Sequence, residues 1–387
     1  MWSVSFPSSA ADDRLAATLT ILERLVGFDT ESAKSNLALA ADVEAYFAAQ
    51  GVDYVKVPNA RGDKAALFAT IGPKIDGGVL LSGHTDVVPV EGQAWTGSPF
   101  TLRRANGRVY GRGACDMKGF DAICLAMIPE FQRARLKRPI HILLGYDEEI
   151  GCRGGLDTIA RLGGDLPRPG AAIVGEPTSM QVANAHKSVA TYLTIVEGQE
   201  AHSAKPHLGA SAIETACALV GELYRFADEL EAVADARFDP PFSTIHVGVI
   251  HGGTARNILA RYCAFHWEFR GLPGVPQNTA RAHIDAYAGR IATPRLRIET
   301  QTETEVPGLA SAPDSRAERL ALKIAQADRT ITVPYASEAG QFQAAQIATV
   351  VCGPGSIDQA HRPDEYIALS ELEAGIAFMR RLAAELE

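Results

Sequence analysis

Acidic and histidine side chains follow apolar segments at several places in this sequence of 387 residues. The clearest case is the pair Glu148-Glu149, which comes just after the apolar run 140–144. Adjacent carboxylates at the end of a buried strand repel each other and lose hydration unless a positive group lies nearby. One acid could bind a cation while the other stays free as a base. The pair therefore suggests metal-dependent chemistry.

A second candidate is the segment His84-Thr85-Asp86, which follows the apolar residues 79–81 and a glycine. A histidine that binds a metal with one ring nitrogen usually has the other nitrogen held by a carboxylate or a carbonyl. Asp86 could hold His84 in this way. When this segment is taken alone, the alternative interpretation is a turn with a surface histidine and a capping aspartate.

Three further residues stand in comparable positions. Asp116 lies in the glycine-flanked segment 111–119, Glu176 follows an apolar strand, and His361 comes after a glycine loop. Singly, Asp116 could be a helix cap and His361 a loop residue. Together, the candidates give each of two metals one histidine, one terminal carboxylate and a shared aspartate. The candidate ligands are His84, Asp116, Glu149, Glu176 and His361, with Glu148 left unpaired.

This donor set predicts a dinuclear metallohydrolase. Nitrogen and oxygen ligands without cysteine suit Zn²⁺ or another divalent first-row metal. An open position on such a metal would be available for a water molecule.

The elements that position these residues alternate between buried strands and helices. Strands are predicted near 52–57, 65–71, 78–82, 139–145 and 170–175, with helices at 36–50, 118–135 and 153–162. This order predicts an α/β fold with a mixed, mostly parallel sheet flanked by helices. Ligands bind outside the carboxyl ends of the strands in such sheets, where the candidate residues fall.

A different pattern occupies residues 182–305. Its order of elements is βαββαβ, which is typical of a ferredoxin-like sandwich. The α/β pattern then resumes with a helix near 313–327, a strand near 348–352 and a helix near 370–386. We therefore predict a discontinuous catalytic domain, 1–181 and 306–387, and an inserted lid or dimerisation domain. Its long helix and open sheet edge favour a homodimer.

The composition argues against several classes of protein. The net charge is −9 and no lysine or arginine cluster stands out, which disfavours nucleic-acid binding and a two-metal phosphatase or nuclease. No apolar stretch approaches the ~18 residues of a membrane span. Six cysteines without a C-x-x-C pair, and residues 1–6 without a signal-peptide pattern, predict reduced thiols and a cytoplasmic location.

Three segments carry a resemblance to a known family. Residues 82–89, 111–119 and 147–151 resemble, in order and spacing, the dinuclear zinc amidohydrolases and peptidases, and the similarity extends over essentially the whole chain. The resemblance implies two Zn²⁺ per subunit, with Co²⁺ or Mn²⁺ as possible substitutes. It also implies a cis peptide bond between Asp116 and Met117. The implied roles are ligands His84, Glu149, Glu176 and His361, bridging ligand Asp116, general base Glu148, and Asp86 as the residue that orients His84.

Within the family, residues 353–361 and 269–274 look most like the acetylornithine deacetylases. This implies hydrolysis of N-acetyl-L-ornithine to L-ornithine and acetate, a step of arginine biosynthesis. Ala336-Ser337 departs from the Gly-Thr that usually precedes Glu338 in that group, at a substrate-facing loop. The alternatives are N-succinyl-diaminopimelate, a dipeptide or another N-acyl amino acid. A non-catalytic binding protein would be expected to have lost a ligand or the base.

Other residues are predicted to contact the substrate. His202 alone would be an ordinary loop residue, but the resemblance implies that it reaches across a dimer to the tetrahedral intermediate. Arg270 suits bidentate recognition of a carboxylate, although its ordinary role would be a weak surface salt bridge. Backbone N–H groups of glycines could bind the same anion. The predicted substrate-binding set is Asn257, Arg270, Glu338, Gly353, Gly355 and Ser356.

Overall fold

The computed structural model describes residues 12–387. Contacts between Cα atoms divide the chain into two compact units. The first contains the described residues up to Asn184, together with Ser311–Ile331 and Ser337–Glu387, and the second contains Ala185–Ala310 and Thr332–Ala336.

Nine α-helices and sixteen strands are present in the described residues. The helices are α1 (Asp12–Val26), α2 (Leu37–Gln50), α3 (Lys118–Arg133), α4 (Leu156–Arg161), α5 (Ala212–Leu230), α6 (Thr279–Ile291), α7 (Arg316–Ala325), α8 (Ala339–Ala344) and α9 (Leu369–Leu386). The strands are β1 (Asp53–Pro58), β2 (Ala65–Ile71), β3 (Val79–His84), β4 (Arg103–Ala105), β5 (Arg108–Tyr110), β6 (Ile140–Gly145), β7 (Ala171–Pro177), β8 (Ala183–His186), β9 (Ser188–Glu197), β10 (Thr244–Gly252), β11 (Tyr262–Gly271), β12 (Arg297–Val306), β13 (Leu309–Ala310), β14 (Ile331–Val333), β15 (Thr349–Gly353) and β16 (Tyr366–Ala368).

The large sheet of the first unit is mixed, with a parallel centre. Its order begins β1-β2-β6-β3-β7-β15-β8. The pairs β6–β3, β3–β7 and β7–β15 are parallel, whereas β1–β2 and β2–β6 are antiparallel. Strands β3, β6 and β7 are buried along their whole length because helices cover the sheet. The predicted fold class, a mostly parallel sheet flanked by helices, is confirmed.

Helix α3 is the central packing element of the first unit. Residues on all of its faces are buried, from Lys118 to Phe131, and it packs against α1, α9 and the sheet. A helix that is apolar all round belongs in the interior of a protein. Only Met117 separates its amino-terminal end from Asp116, so the buried helix anchors the segment that carries this candidate ligand.

The second unit contains a four-stranded antiparallel sheet with the order β10-β11-β9-β12. With β9, β10, β11 and β12 as strands one to four, this is the arrangement of a ferredoxin-like sandwich. Strand β9 alternates buried and half-buried residues, as expected when one face of a sheet is covered by helices. Ser211 caps α5 by accepting a hydrogen bond from the Glu214 N–H.

The structure adds several elements that the sequence pattern did not predict. The short strands β16, β5 and β4 form a separate three-stranded sheet. Residues Thr332–Ala336, which we assigned to the catalytic domain, group with the second unit. The hydroxyl of Thr332 donates a hydrogen bond to the Arg237 carbonyl there. By contrast, the cis peptide bond between Asp116 and Met117 was expected from the family resemblance, and it is present.

Two observations bear on the cysteines and on membranes. All six cysteine thiols are free. Among residues 12–387, no helix combines the length and apolarity needed to cross a bilayer. The amino-terminal segment 1–6, from which we predicted the absence of a secretion signal, lies outside the described residues.

Candidate metal centre

The carboxyl ends of adjacent parallel strands bring the candidate ligands together. His84 is the last residue of β3, and Glu176 lies at the end of β7. Glu148 and Glu149 follow β6, which pairs with β3 on the other side. His361 lies in the loop after β15, the neighbour of β7. Sheet topology therefore collects residues that are far apart in the sequence at one edge.

The first half of the centre is built around His84. Its Nε2 atom lies 3.2 Å from Oδ1 of Asp116 and 3.8 Å from Oε1 of Glu176. Possible ligand atoms of His84, Glu148 and Glu176 all lie within 4.8 Å of one another. These residues are in position to surround a single cation.

The second half is built around His361. Its Nε2 atom lies 3.4 Å from Oδ2 of Asp116 and 3.0 Å from Oε2 of Glu149. The Asp116 carboxylate therefore lies between the two imidazoles, with one oxygen toward each. This geometry allows one carboxylate to bridge two cations.

Electrostatics provide a test of whether cations fit. Burial, together with repulsion between neighbouring carboxylates, raises the pKa of Glu148 to about 8 and that of Glu149 to about 7. For the same reasons the pKa of Glu176 lies well above its usual value. Oε1 of Glu176 is buried without a hydrogen-bond partner among the described residues. Divalent cations would supply the missing charge and the missing partner, so the residues fit a dinuclear metal site.

The orientation of His84 is set by Asp86 in two ways. Nδ1 of His84 lies 3.0 Å from the Asp86 carbonyl and 3.5 Å from its carboxylate. Because the carbonyl can only accept, Nδ1 carries a hydrogen, and Nε2 is the nitrogen available to bind a metal. Burial opposes protonation of His84, but Asp116 and Asp86 outweigh it and raise its pKa well above the ordinary value.

The Asp86 carboxylate also holds the acidic pair. It accepts hydrogen bonds from the Glu148 N–H (3.1 Å), the Glu149 N–H (3.3 Å) and the Ser32 hydroxyl (2.7 Å). Asp86 thus connects β3 to the loop after β6. Its residue type and spacing from His84 predicted the first contact, but nothing in the sequence indicated the second.

Other residues support the pair without having shown any signal in the sequence. The Cys152 thiol donates to Oε1 of Glu148 at 3.1 Å. Lys64 forms a buried ion pair with Asp147, the residue just before Glu148. These partners come from the residue just before β2 and from the loop after β6, and no motif spacing connects them.

The predicted substrate residues of the first unit have internal partners. Glu338 is buried and accepts a hydrogen bond of 2.6 Å from Ser82, and burial raises its pKa to about 7. The Gly353 N–H donates to the Thr178 hydroxyl and the Gly355 N–H to Glu371. Ser356 caps a short 3₁₀ turn. We predicted that the two glycine N–H groups bind an anion, but in this structure both are already engaged.

The second unit holds the remaining predicted residues. His202 is exposed, and its Nδ1 accepts a hydrogen bond from the Ala204 N–H. The Asn257 carbonyl accepts from the Ser203 N–H, so Asn257 and His202 lie on neighbouring loops. Arg270, on β11, pairs with Glu268 at 3.1 Å.

The chain is similar to known proteins over most of its length. A family model described as peptidase family M20/M25/M40 matches residues 80–385. Acetylornithine deacetylases from Salmonella paratyphi B and Salmonella newport are each 35% identical over 342 residues, which is 86% of this chain and 87% of theirs.

Solved structures share the fold. A tripeptidase from Staphylococcus aureus has a TM-score of 0.76 at 18% identity, covering 96% of this chain and 98% of that one. An M20 family metallo-carboxypeptidase from Sulfolobus solfataricus has a TM-score of 0.76 at 16% identity, covering 95% and 98%. A dinuclear metal-binding M20 peptidase from Bacillus subtilis has a TM-score of 0.65 at 14% identity, covering 97% and 99%.

Proposed function

This chain belongs to the peptidase family M20/M25/M40 and is a metal-dependent hydrolase, and we propose that it cleaves the amide bond of an N-acyl amino acid, namely N-acetyl-L-ornithine. The products would be L-ornithine and acetate. The observation that carries the hydrolytic part is the Asp116 carboxylate between two imidazoles, with the unshared acid Glu148 beside it.

We propose that His84 and Glu176 hold one Zn²⁺, that His361 and Glu149 hold the other, and that Asp116 is shared. The donor set also suits Co²⁺ or Mn²⁺. When bound, these ions supply Lewis acidity that polarises a carbonyl group and makes water a stronger nucleophile at neutral pH.

The protein's own contribution to the reaction is proton transfer by Glu148. The water oxygen forms a bond to the acyl carbon while Glu148 accepts the proton of that water. When the C–N bond breaks, Glu148 returns the proton to the departing amine nitrogen. Without bound metal, burial and the neighbouring Glu149 raise the pKa of Glu148 above its ordinary value, and a carboxyl group with a raised pKa is suited to give a proton as well as to take one.

The substrate assignment is supported by the relatives that share 35% identity and are named acetylornithine deacetylases. The resemblance in residues 353–361 and 269–274 points the same way. In this proposal Arg270 and Asn257 bind the α-carboxylate and His202 contacts the tetrahedral intermediate. The second unit would serve as a lid and as the surface of a homodimer.

The direct test is amine release from a panel of N-acetyl, N-succinyl and N-formyl amino acids and dipeptides by metal-free and Zn²⁺-loaded protein. We expect the highest kcat/KM for N-acetyl-L-ornithine and none without metal. Preference for N-succinyl-diaminopimelate or a dipeptide would keep the chemistry and replace the substrate. Absence of turnover on every member of the panel would refute the proposal.

A further inference from the structure

A buried network links the loops that carry Asp116 and His361. We propose that Arg112, Glu365 and Gln93 position these two residues and thereby set the affinity of the metal centre. We call these three residues the arginine network. The inference rests on the metal-dependent function proposed above, and its test uses metal binding rather than turnover.

One branch of the network fixes the backbone at Asp116. Oε1 of Glu365 accepts the N–H groups of Cys115 at 2.9 Å and of Asp116 at 3.1 Å. Oε2 of Glu365 pairs with Nη1 of Arg112 at 2.7 Å. Two N–H donors on one charged oxygen hold the peptide plane of Asp116, and that plane determines where its carboxylate points.

The other branch fixes the backbone at His361. Nη2 of Arg112 donates to the side-chain oxygen of Gln93. The amide nitrogen of Gln93 donates to the His361 carbonyl at 2.9 Å. His361 has a φ of 64°, a left-handed conformation that is uncommon for residues other than glycine. A hydrogen bond to its carbonyl helps to hold that conformation and so to aim the imidazole.

Arg112 is suited to join the two branches. Its side chain is 1% exposed, as is that of Glu365, and its guanidinium lies 5.0 Å from the ring centre of Trp95. A guanidinium presents donors in a planar fork and can bind two acceptors at fixed positions, whereas an ammonium is a point charge. Lysine at this position could keep the ion pair with Glu365 but could not donate a hydrogen bond to Gln93 at the same time.

The two branches predict different defects. Gln93→Leu and Arg112→Lys disturb the His361 branch, so one of two Zn²⁺ equivalents should bind about ten- to a hundredfold more weakly. Glu365→Gln disturbs the Asp116 branch. Because Asp116 lies between both imidazoles, this variant should weaken both equivalents.

The matched control is Arg14→Lys. Arg14 is 3% exposed and pairs with Glu130 at 2.7 Å in the same unit. This substitution repeats the chemical change of Arg112→Lys at a buried ion pair on α1 and α3. It should lower the unfolding temperature of the apoprotein while leaving both Zn²⁺ affinities unchanged.

The experiment is competition for Zn²⁺ between each full-length apoprotein and a chromophoric chelator, with thermal unfolding as the check on folding. Unchanged Zn²⁺ affinities in Gln93→Leu and Arg112→Lys would overturn the inference. A loss of Zn²⁺ affinity in Arg14→Lys as large as that in Arg112→Lys would also overturn it. If Glu365→Gln does not fold, the Zn²⁺ affinities of Gln93→Leu and Arg112→Lys still test the inference. Altered Zn²⁺ binding without hydrolysis of any N-acyl substrate would leave this inference standing and remove the proposed function.

Discussion

Glu148 and Glu149 are adjacent in the sequence, but their side chains contact different groups. Glu149 lies within 3.0 Å of the His361 imidazole, whereas Glu148 contacts the Cys152 thiol. Asp86 holds both backbone N–H groups and so fixes the direction in which each side chain leaves the loop. The chemical division of the pair therefore follows from partners on other elements.

Glu148→Gln tests the proposed proton transfer. We expect kcat on N-acetyl-L-ornithine to fall at least about a hundredfold, because an amide cannot take the proton of the attacking water. Zn²⁺ content should stay at the wild-type level by elemental analysis. The matched variant Glu149→Gln should instead lose bound metal. Wild-type turnover in Glu148→Gln would show that another group is the base.

The pH dependence of folding can be argued from His141. It is buried on β6, its Nδ1 lies 3.0 Å from the Thr70 hydroxyl, and burial lowers its pKa to about 4. The unfolded chain, with a histidine pKa of about 6.5, binds more protons between these values. His141 therefore favours folding above pH 6.5, and this contribution is lost as the pH falls toward 4.

Acidification from pH 7 to 5 should lower the free energy of unfolding of the wild-type protein. We expect this decrease to be about 2 kcal/mol larger in wild type than in the variant His141→Gln. Denaturant titrations at the two pH values measure this difference. His246→Gln is the control, since His246 is exposed. Its free energy of unfolding should fall between pH 7 and 5 by the same amount as that of wild type. An equal loss in His141→Gln and wild type would contradict the assignment.

Residue types and spacing were sufficient to bring forward His84, Asp116, Glu148, Glu149, Glu176 and His361, which the structure places in one cluster. They were insufficient for Arg112 and Glu365, whose contact joins positions about 250 residues apart in the chain. Such contacts depend on tertiary packing, and a single buried arginine has no local pattern. The N–H groups of Gly353 and Gly355 show the opposite error, because a glycine loop does not reveal whether its donors are already used.

At the scale of elements, the position of each ligand depends on how closely strands and helices approach. Long apolar strands and helices were predicted within a few residues, because their periodicity and length are strong signals. The three-residue strands β4, β5 and β16 were missed, since so short a segment has no usable period. The sequence also does not show where two elements approach closely. Gly175 on β7, which packs against α3, is an example.

Gly175→Ala tests the packing of β7 on α3. A Cβ atom at Gly175 would lie 2.2 Å from Cγ of Phe120, so the strand end or the ring must move. We expect a loss of about 1–3 kcal/mol of unfolding free energy and weaker Zn²⁺ binding, because Glu176 is the next residue. Denaturant titration and chelator competition measure the two effects.

The control for this substitution is Gly221→Ala, in α5. Apart from the backbone of its own helix and its two chain neighbours, no atom lies within 4 Å of a Cβ at that position, and alanine favours the helical state. The free energy of unfolding of this variant should be higher than that of wild type by up to about 1 kcal/mol. If Gly175→Ala were as stable as wild type and bound Zn²⁺ equally well, the contact between Gly175 and Phe120 would not position Glu176.

At the scale of the whole molecule, the two units have separate hydrophobic cores. All five proposed metal ligands lie in the first unit. The βαββαβ order predicted the second unit because its elements are contiguous in the sequence. The assignment of Thr332–Ala336 to that unit was not predictable, since the segment returns to it from a distant part of the chain.

This division predicts where bound metal stabilises the protein. A ligand that binds only the folded state stabilises it by about 2.7 kcal/mol at a hundredfold excess over Kd. Hydrogen exchange of the full-length protein with and without Zn²⁺ should therefore show slower exchange in β3, β6 and β7. Exchange in β9 and β11 should change much less, because their hydrogen bonds open without releasing a ligand. Glu176→Ala is the control and should reduce the protection in the first unit. Equal protection of both units by Zn²⁺ would show that they unfold as a single cooperative structure.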